Sequence, residues 1–433
     1  MLKRGSSYSF INHSLKKNII LLLTVLLVFS CPGKKKSKEI TLTYMNAESS
    51  TEQLKIMNII ASRFERLNPG IKITLVTGVK IEKILSTIAS GRGVDVFMGW
   101  DQINEYYDRD AITVLNPYVE KHGFNREEYY PISLDLLTYK GNLLALPLQL
   151  KTQCLAYNKT LLQSAGFALP PKSWHYDDFF AYISKIYQTE QIKPNRMNRN
   201  LTITQVDFFI QQFFPEIFNT EKGNLHPDAF KHLVKMFDKQ YKIIKKLPAP
   251  EEVAEFSAAG SASGMFSVFK MSKSYLQNAP AWGLIELGTI KNFDWDVVEY
   301  PHWGNGYMLI DDAYLAVTSI SKHKDEAYKF IKFYISQTGA DLFAHSKNGF
   351  SPRIASTKKY FTAPPVNIST YTDIMNKYKL LRTAVQIKNY SLFRQNLGHS
   401  GIYVSFRKGE VPSSAYAKKY IEYADKFFLP WEK

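Results

Sequence analysis

Polar side chains and a tryptophan follow two short, β-rich apolar segments in the first quarter of the chain. Glu48 and Ser49 come after one segment, and Trp100 and Asp101 come after the other. Carboxylates accept hydrogen bonds from hydroxyl groups, and an indole face packs on the C–H surface of a sugar ring. These residue types indicate a site for a sugar, although Asp101 could instead cap the helix that follows it.

The elements around these residues predict a parallel sheet. Apolar residues alternate over 40–44 and 71–76, recur at helical spacing over 53–67 and 81–89, and form a third strand over 94–98. This order of strands and helices is typical of a parallel sheet with right-handed crossovers. Ligands of such sheets bind beyond the carboxyl ends of the strands, where the four candidate residues lie.

Later segments repeat these patterns. The predicted elements are helices over 177–187, 227–246, 325–335 and 413–429, and strands over 201–204, 295–299 and 314–318. A chain of 433 residues is longer than one compact core usually holds, so we expect two lobes.

The amino-terminal segment is typical of a secretory signal. Two lysines precede an apolar run over 19–29, which is too short for a membrane-spanning helix of roughly 20 residues. The run ends in Val28-Phe29-Ser30-Cys31, which resembles the lipobox of bacterial lipoproteins, in which the cysteine receives the lipid. We expect a signal peptide at 1–30, lipidation of Cys31 and a tether at 31–37. The alternative is an ordinary signal peptide with an incidental cysteine.

The charge of the chain is strongly basic. The formal net charge of +16 falls to +12 when the four basic residues of 1–30 are removed. This excess indicates either an anionic partner or a generally basic surface. The densest basic run, over 34–38, would lie near anionic lipid head groups. No nucleic-acid-binding motif is present, so we expect no nucleic acid partner.

The remaining cysteine and the histidines give no sign of a reactive centre. Cys154 stands in an apolar segment and is expected to be a buried core residue rather than a nucleophile. The nine histidines show no metal-ligand spacing, so we expect neither a metal nor a cofactor. Residues 267–270 fit S-x-x-K, but the partner motifs of that enzyme class are missing. Spacing alone does not rule out the two facing carboxylates of a glycoside hydrolase.

The order of motifs along the mature chain resembles that of the family 1 extracellular solute-binding proteins, the group that contains the maltose-binding protein. The matching passages, in chain order, are 64–76, 88–97, 146–174 with its Tyr157-Asn158-Lys159, Gly264-Met265, Tyr300-Pro301, and 316–353 with its Ser351-Pro352-Arg353. They are spread over almost the whole mature chain.

This resemblance implies an α/β protein with the two-lobed periplasmic-binding-protein fold of type II. Each lobe would be a mainly parallel sheet flanked by helices, with a hinge between the lobes. Lobe 1 would comprise residues 38–152 and 314–352, and lobe 2 would comprise 153–313 and 353–433. The hinge would lie near 151–153 and 308–314.

The resemblance also implies a function, which is binding rather than catalysis. A monomeric lipoprotein, secreted across the inner membrane and anchored at the cell surface or in the periplasm, would capture a carbohydrate between its lobes. It would deliver this cargo to the permease of an ABC transporter, because a ligand that contacts both lobes favours the closed form. A secreted glycoside hydrolase is the less favoured alternative.

Positions that contact ligand in the family map onto specific residues of this chain. The candidate ligand-binding residues are Glu48, Ser49, Trp100, Asp101, Lys151, Gln205, Asp207, Phe208, Trp303 and Asp312, with Trp282 and Arg394 as weaker candidates. Some sugar binders carry a glutamate where this chain has Lys151, so an anionic ligand such as a sugar phosphate is a further alternative. Lys151 could instead pair with a carboxylate, and Asp311-Asp312 could be a turn.

Overall fold

The structure is a computed structural model, which describes residues 39–48, 51–100, 103–193, 200–203, 212–219, 222–245, 266–304, 306–347, 349–382, 387 and 389–428. The predicted signal peptide, Cys31 and the tether lie outside these residues. So do the candidate binding residues Ser49, Asp101, Gln205, Asp207 and Phe208.

The strands within the described ranges are numbered in chain order. They are β1 Ile40–Met45, β2 Ile71–Val76, β3 Val96–Gly99, β4 Thr138–Tyr139, β5 Asn142–Leu143, β6 Leu146–Asn158, β7 Leu201–Ile203, β8 Phe218–Asn219, β9 Asn224–Leu225, β10 Ser274–Pro280, β11 Trp295–Glu299, β12 Tyr307–Val317 and β13 Lys379–Arg382.

The helices are numbered in the same way. They are α1 Thr51–Leu67, α2 Ile81–Ala89, α3 Ile103–Asp108, α4 Asn116–His122, α5 Pro131–Asp135, α6 Lys159–Ser164, α7 Tyr176–Gln191, α8 Phe214–Ile217, α9 Ala229–Ile244, α10 Ser267–Lys270, α11 Leu284–Leu287, α12 Lys324–Tyr334, α13 Gln337–His345, α14 Ile354–Tyr360, α15 Thr370–Lys377, α16 Tyr390–His399, α17 Ile402–Lys408 and α18 Ser413–Phe427. Short 3₁₀ turns lie at Arg126–Glu128 and Ala281–Gly283.

The first lobe is built on a sheet in the order β2-β1-β3-β12-β6. Strand β1 pairs in parallel with both β2 and β3, as the strand–helix pattern predicts. The crossover helix α1 buries Phe64 against Phe330, with ring centroids 5.2 Å apart, and Tyr44 of β1 lies 5.8 Å from the same ring. The apolar face of α1 therefore covers the sheet and forms the core of this lobe.

The long antiparallel strands β6 and β12 pass from one core to another. Leu146 and Leu148 of β6 lie in the first core, whereas residues 154–157 lie in a second. Strand β12 runs the other way, from Ile310 in the second core to Tyr314 in the first. The loop at Phe350 crosses beside them, because its amide and carbonyl pair with those of Leu150. These segments connect the two lobes.

The second lobe has its own sheet. Strand β10 pairs in parallel with β7 and antiparallel with β6, and β11 pairs antiparallel with the other edge of β6. Pro280 at the end of β10 lies opposite Gln153, and Glu299 at the end of β11 lies opposite Cys154. The carboxyl ends of β10 and β11 therefore meet beside the segment where β6 leaves the crossing.

A third, aromatic-rich core joins α9 to the carboxyl-terminal helices. Phe237 of α9 stacks on Tyr416 of α18 at 4.2 Å, and Phe393 of α16 contacts Tyr420 and Phe428 at 4.9 and 4.8 Å. The sequence patterns did not predict a separate core here. Its contacts join residues far apart in the chain, which local periodicity does not report.

Most predicted elements agree with the structure to within a few residues, with β12 as the main exception. The strand predicted over 314–318 is the end of a much longer strand that begins at Tyr307. Asp311 and Asp312 lie inside this strand, paired with Lys151 and Leu150, so the alternative that they form a turn is wrong. Among the described helices, none is both long and apolar enough to cross a membrane.

Candidate functional site

The loop after β1 is held by hydrogen bonds that place Glu48 at the carboxyl edge of the first sheet. The amide of Glu48 donates to Asn46 Oδ1 at 3.0 Å, and the Glu48 carbonyl accepts from the Gly78 amide at 2.9 Å. Burial, with Tyr334 and the Glu48 carboxylate nearby, raises the pKa of the Tyr44 hydroxyl. The Glu48 carboxylate thus lies at the boundary between the core and the edge of the sheet.

Trp100 lies at the same edge because of a close contact at Gly99. A Cβ atom on Gly99 would lie 2.5 Å from ring atoms of Tyr314, which pairs with Gly99 across β12. Only glycine lets these strands approach so closely. Trp100 follows directly and is partly buried against the first core. Trp100 therefore follows β3 at the same edge at which Glu48 follows β1.

The crossing of β6 and β12 brings charged residues between the two cores. Lys151 lies opposite Asp311 and is partly exposed, whereas Asp312 lies opposite Leu150 and is completely buried. The Lys151 ammonium forms no ion pair with the described residues. The predicted pairing of Lys151 with a carboxylate is thus not formed within the described part of the chain, although Asp311 lies on the neighbouring strand.

Two buried amides in the second sheet were missed by the sequence reasoning. Gln153 and Asn278 are 2% and 0% exposed, and they lie two positions apart in register on the paired strands β6 and β10. Gln153 Oε1 and both polar atoms of the Asn278 amide lack a hydrogen-bond partner within the described residues. A buried polar group without a partner costs about 1–3 kcal/mol. The sequence offered no clear signal, because β6 and β10 carry other polar residues such as Gln149 and Gln277.

Trp282 occupies the turn at the end of β10. It is partly buried and contacts the Phe266 ring at 5.6 Å between centroids. A Cβ on the next residue, Gly283, would lie 2.4 Å from the same Phe266 ring. The structure therefore brings this weaker candidate to the edge that carries Gln153 and Asn278.

Trp303 is held by aromatic neighbours within the second lobe. Its ring stacks on Tyr176 at 3.7 Å and lies 4.6 Å from Phe213, while Lys239 Nζ lies 4.4 Å from its centroid. Burial lowers the pKa of the Lys239 ammonium. This packing favours a structural role for Trp303, and its predicted contact with ligand stays a prediction.

Arg394 is not brought to the other candidates. It is exposed on α16, a helix that packs into the third core through Phe393 and Leu397. Gln205, Asp207 and Phe208 follow β7 in the sequence. Strand β7 pairs with β10, the strand of Asn278, through Ile203 and Leu276.

The carboxylate of Glu299 at the end of β11 is already engaged. It accepts hydrogen bonds from Lys377 Nζ at 2.8 Å and from the Tyr378 hydroxyl at 2.7 Å. Burial acts to raise the pKa of Glu299, but these hydrogen bonds outweigh it and lower that pKa below its ordinary value. Glu299 therefore holds α15 against the second sheet, which is a structural task.

Cys154 lies opposite Glu299 within β6 and is completely buried, as the sequence predicted. Burial raises the pKa of its thiol well above the ordinary value. A thiol that is both protonated and inaccessible is a core side chain.

The sequence profile of the bacterial extracellular solute-binding proteins matches residues 47–341 of this chain. A maltotriose-binding protein from Pyrococcus abyssi is 22% identical over 316 residues, which cover 67% of this chain and 63% of that relative. The matched part thus spans less than two thirds of the length of this curated relative.

Solved structures resemble the whole fold. An ABC substrate-binding protein from Listeria monocytogenes in complex with cycloalternan has a TM-score of 0.74 at 16% identity, covering 90% of this chain and 98% of that one. Maltose-bound MalE3 from T. maritima has a TM-score of 0.68 at 16% identity, covering 89% and 99%. At this identity the likeness concerns the fold, and it confirms the predicted two-lobed α/β architecture. Since the family profile covers about two thirds of the chain, the protein belongs to the bacterial extracellular solute-binding protein family.

Proposed function

We propose that this protein captures a carbohydrate between its two lobes and delivers it to the permease of an ABC transporter. What supports this proposal is that both sheets carry polar side chains on strands that end near the crossing or pass through it. Glu48 and Trp100 come from the first sheet, Lys151 from the crossing strand, and Gln153 and Asn278 from the second sheet. The proteins of similar sequence or fold bind maltotriose, cycloalternan and maltose by name, which supports a sugar.

The chemistry of these groups suits a ligand rich in hydroxyl groups. Carboxylates accept hydrogen bonds, an ammonium donates them, and an amide does both, so the set can satisfy hydroxyls in either direction. The Trp100 indole offers a flat apolar face for a sugar ring. In the same role we place Ser49, Asp101, Gln205, Asp207 and Phe208, together with Asp312 and Trp303.

Closure would follow from contacts that only one conformation completes. A sugar that contacts both lobes forms its full set of hydrogen bonds only when the lobes come together, so binding shifts the population towards the closed form. The lobes in this proposal are 38–152 with 314–352, and 153–313 with 353–433. Their division is supported by the two separate cores that β6 and β12 connect.

The sugar phosphate and the glycoside hydrolase are less favoured. The partly exposed Lys151 is compatible with an anionic ligand, but the relatives named above bind neutral oligosaccharides. Those relatives are binding proteins by name, as are the members of the family that the chain belongs to.

The membrane attachment is part of the same proposal. The family consists of extracellular proteins, which supports export of this chain. We propose that Cys31 is lipidated, that residues 31–37 tether the mature protein to a membrane, and that it acts as a monomer. The basis is the sequence alone, namely the short apolar run before Ser30-Cys31.

A thermal-shift screen tests the choice of ligand. Maltotriose and other oligosaccharides, sugar phosphates, polyols and amino acids are added to the exported protein, and the unfolding midpoint is measured. A ligand that binds only the folded state raises its stability by about 2.7 kcal/mol at a hundredfold excess over Kd. We expect a shift with oligosaccharides. A shift confined to phosphorylated sugars would favour the anionic alternative, and a shift with neither class would contradict the proposal.

A further inference from the structure

The outer face of α1 carries apolar and basic side chains that the binding site does not use. Ile59 is 42% exposed and Leu67 is 66% exposed, and both lie on the side of the helix that carries Arg63 and Arg66. Beside Ile59, a shallow depression of about 410 Å³ is lined by Asn58, Ile59, Ser62, Arg63 and Arg66.

This face is positively charged. Neither Arg63 nor Arg66 forms an ion pair or a side-chain hydrogen bond with any residue that the structure describes. The neighbouring Glu65 carboxylate is occupied elsewhere, because it accepts from Lys72 Nζ at 3.1 Å and from the Ile73 amide at 2.8 Å. Two guanidinium groups are therefore available beside an exposed isoleucine.

The chain enters the first lobe next to this face. The Ile40 amide donates to the Gly70 carbonyl at 2.8 Å, and Ile40 pairs with Ile71 just after the end of α1. The amino ends of β1 and β2 and the end of α1 therefore share one edge of the sheet. Glu48 and Trp100 follow the carboxyl ends of β1 and β3, so the proposed sugar site lies at the opposite edge.

The segment that precedes this edge is short and basic. Eight residues separate Cys31 from Ile40, and four of them are lysines, Lys34, Lys35, Lys36 and Lys38. Eight residues span at most about 30 Å when fully extended. A lipid on Cys31 would hold the exposed end of α1 within that distance of the membrane.

We propose that the outer face of α1 docks on an anionic lipid surface. The inference rests on the proposed lipidation of Cys31. Guanidinium groups match the geometry of phosphate oxygens, and apolar side chains such as Ile59 and Leu67 insert at the boundary between head groups and acyl chains. Contact through the outer face of α1 leaves Glu48 and Trp100, which follow the carboxyl ends of β1 and β3, outside the docked surface.

Fluorescence quenching by lipids tests the docking directly. The full chain is expressed in a bacterium that exports it, so that any signal peptide is cleaved and any lipid is attached before purification. The purified protein is reconstituted in vesicles of phosphatidylcholine, with or without phosphatidylglycerol. A thiol-reactive fluorophore is attached to Ile59→Cys. Cys154 is completely buried and does not react with the fluorophore. A lipid with a quencher on its head group reports contact, and the same fluorophore on Val404→Cys, exposed on α17, is the control.

We expect strong quenching at position 59 in anionic vesicles only, and weak quenching at position 404 in both. Arg63→Gln with Arg66→Gln should lower the ratio of docked to undocked protein about thirtyfold, since each basic residue near an anionic surface contributes roughly a fivefold preference. The matched control is Lys231→Gln with Lys235→Gln, which removes the same charge from exposed positions on α9 and should change nothing.

Equal quenching at position 59 in neutral and anionic vesicles would overturn the inference. So would equal effects of the arginine and lysine pairs. Two further results would show that Cys31 is not a lipid anchor and would contradict the inference as well. In one, the exported chain does not stay with the vesicles after detergent is removed; in the other, Cys31→Ser binds the vesicles as well as the parent does. Sugar binding measured on the same preparation tests the proposed function independently, because no residue of the α1 face belongs to the sugar site.

Discussion

The residues proposed to bind sugar differ in how the fold holds them. The backbone beside Trp100 is constrained by the close contact at Gly99, and the backbone of Glu48 is held by its hydrogen bond to Asn46. Lys151 is held only by its strand, and its ammonium has no ion-pair partner in the described part of the chain. It is therefore the side chain whose interactions a bound sugar would change most.

Replacing Lys151 with methionine should weaken sugar binding by about 1–3 kcal/mol, because a ligand hydroxyl loses its donor on leaving water. Isothermal titration calorimetry with the best oligosaccharide measures this change. Lys185→Met, at an exposed position on α7, is the matched control and should leave Kd unchanged. The same affinity in both variants would remove Lys151 from the site.

The ion pair of Glu299 predicts a pH dependence of stability rather than of binding. The pKa of Glu299 is lower in the folded protein than its unfolded value of about 4.3. The stabilisation is therefore present above that pH and is lost as the pH falls through the folded pKa.

Glu299→Gln should lower the free energy of unfolding at neutral pH by about 1–2 kcal/mol, since the Lys377 partner is partly exposed and its contribution is screened. It should also flatten the loss of stability in acid. Denaturant unfolding at several pH values measures both effects, with Glu286→Gln, exposed on α11, as the control. Identical acid profiles for the parent and Glu299→Gln would refute this role.

At the scale of elements, the crossing strands connect the site to both cores. Strands β1, β2 and β3 could be predicted closely because their apolar alternation is local. Only the last part of β12 was recognised, because Asp311 and Asp312 interrupt its apolar pattern where the strand passes from one core to the other.

The same reason explains what was missed in the site. Gln153 and Asn278 stand among other polar residues of their strands, and only the pairing of β6 with β10 shows that they lie together. Pairing between distant strands and packing of distant aromatic rings, as in the third core, are properties of the folded chain that sequence periodicity does not report.

Gly99→Ala should disturb the junction between β3 and β12. Its Cβ would lie 2.5 Å from the buried Tyr314 ring, so we expect a loss of stability of about 1–3 kcal/mol. Because Trp100 follows directly, sugar affinity should fall as well. Gly93→Ala is the matched control, since its Cβ would meet no atom within 4 Å. Equal stability of the two variants, measured by denaturant unfolding, would show that the junction tolerates a side chain.

At the scale of the whole molecule, the proposed sugar site lies at the carboxyl edge of the first sheet, and the proposed membrane contact lies on the outer face of α1, which covers that sheet. The carboxyl ends of β1 and β3 lead to Glu48 and Trp100, whereas the amino end of β1, which the proposed tether precedes in sequence, lies beside the end of α1. The two proposed sites share no residue, so changes at one need not affect the other.

The central claim is that a sugar binds between the lobes and contacts both of them. Hydrogen–deuterium exchange of the exported protein, with and without a saturating oligosaccharide found in the thermal screen, tests it most directly. We expect slower exchange on both sides of the crossing, around Glu48 and Trp100 in the first lobe and around Gln153 and Asn278 in the second. Slower exchange confined to one lobe, or located on the third core, would contradict binding between the lobes.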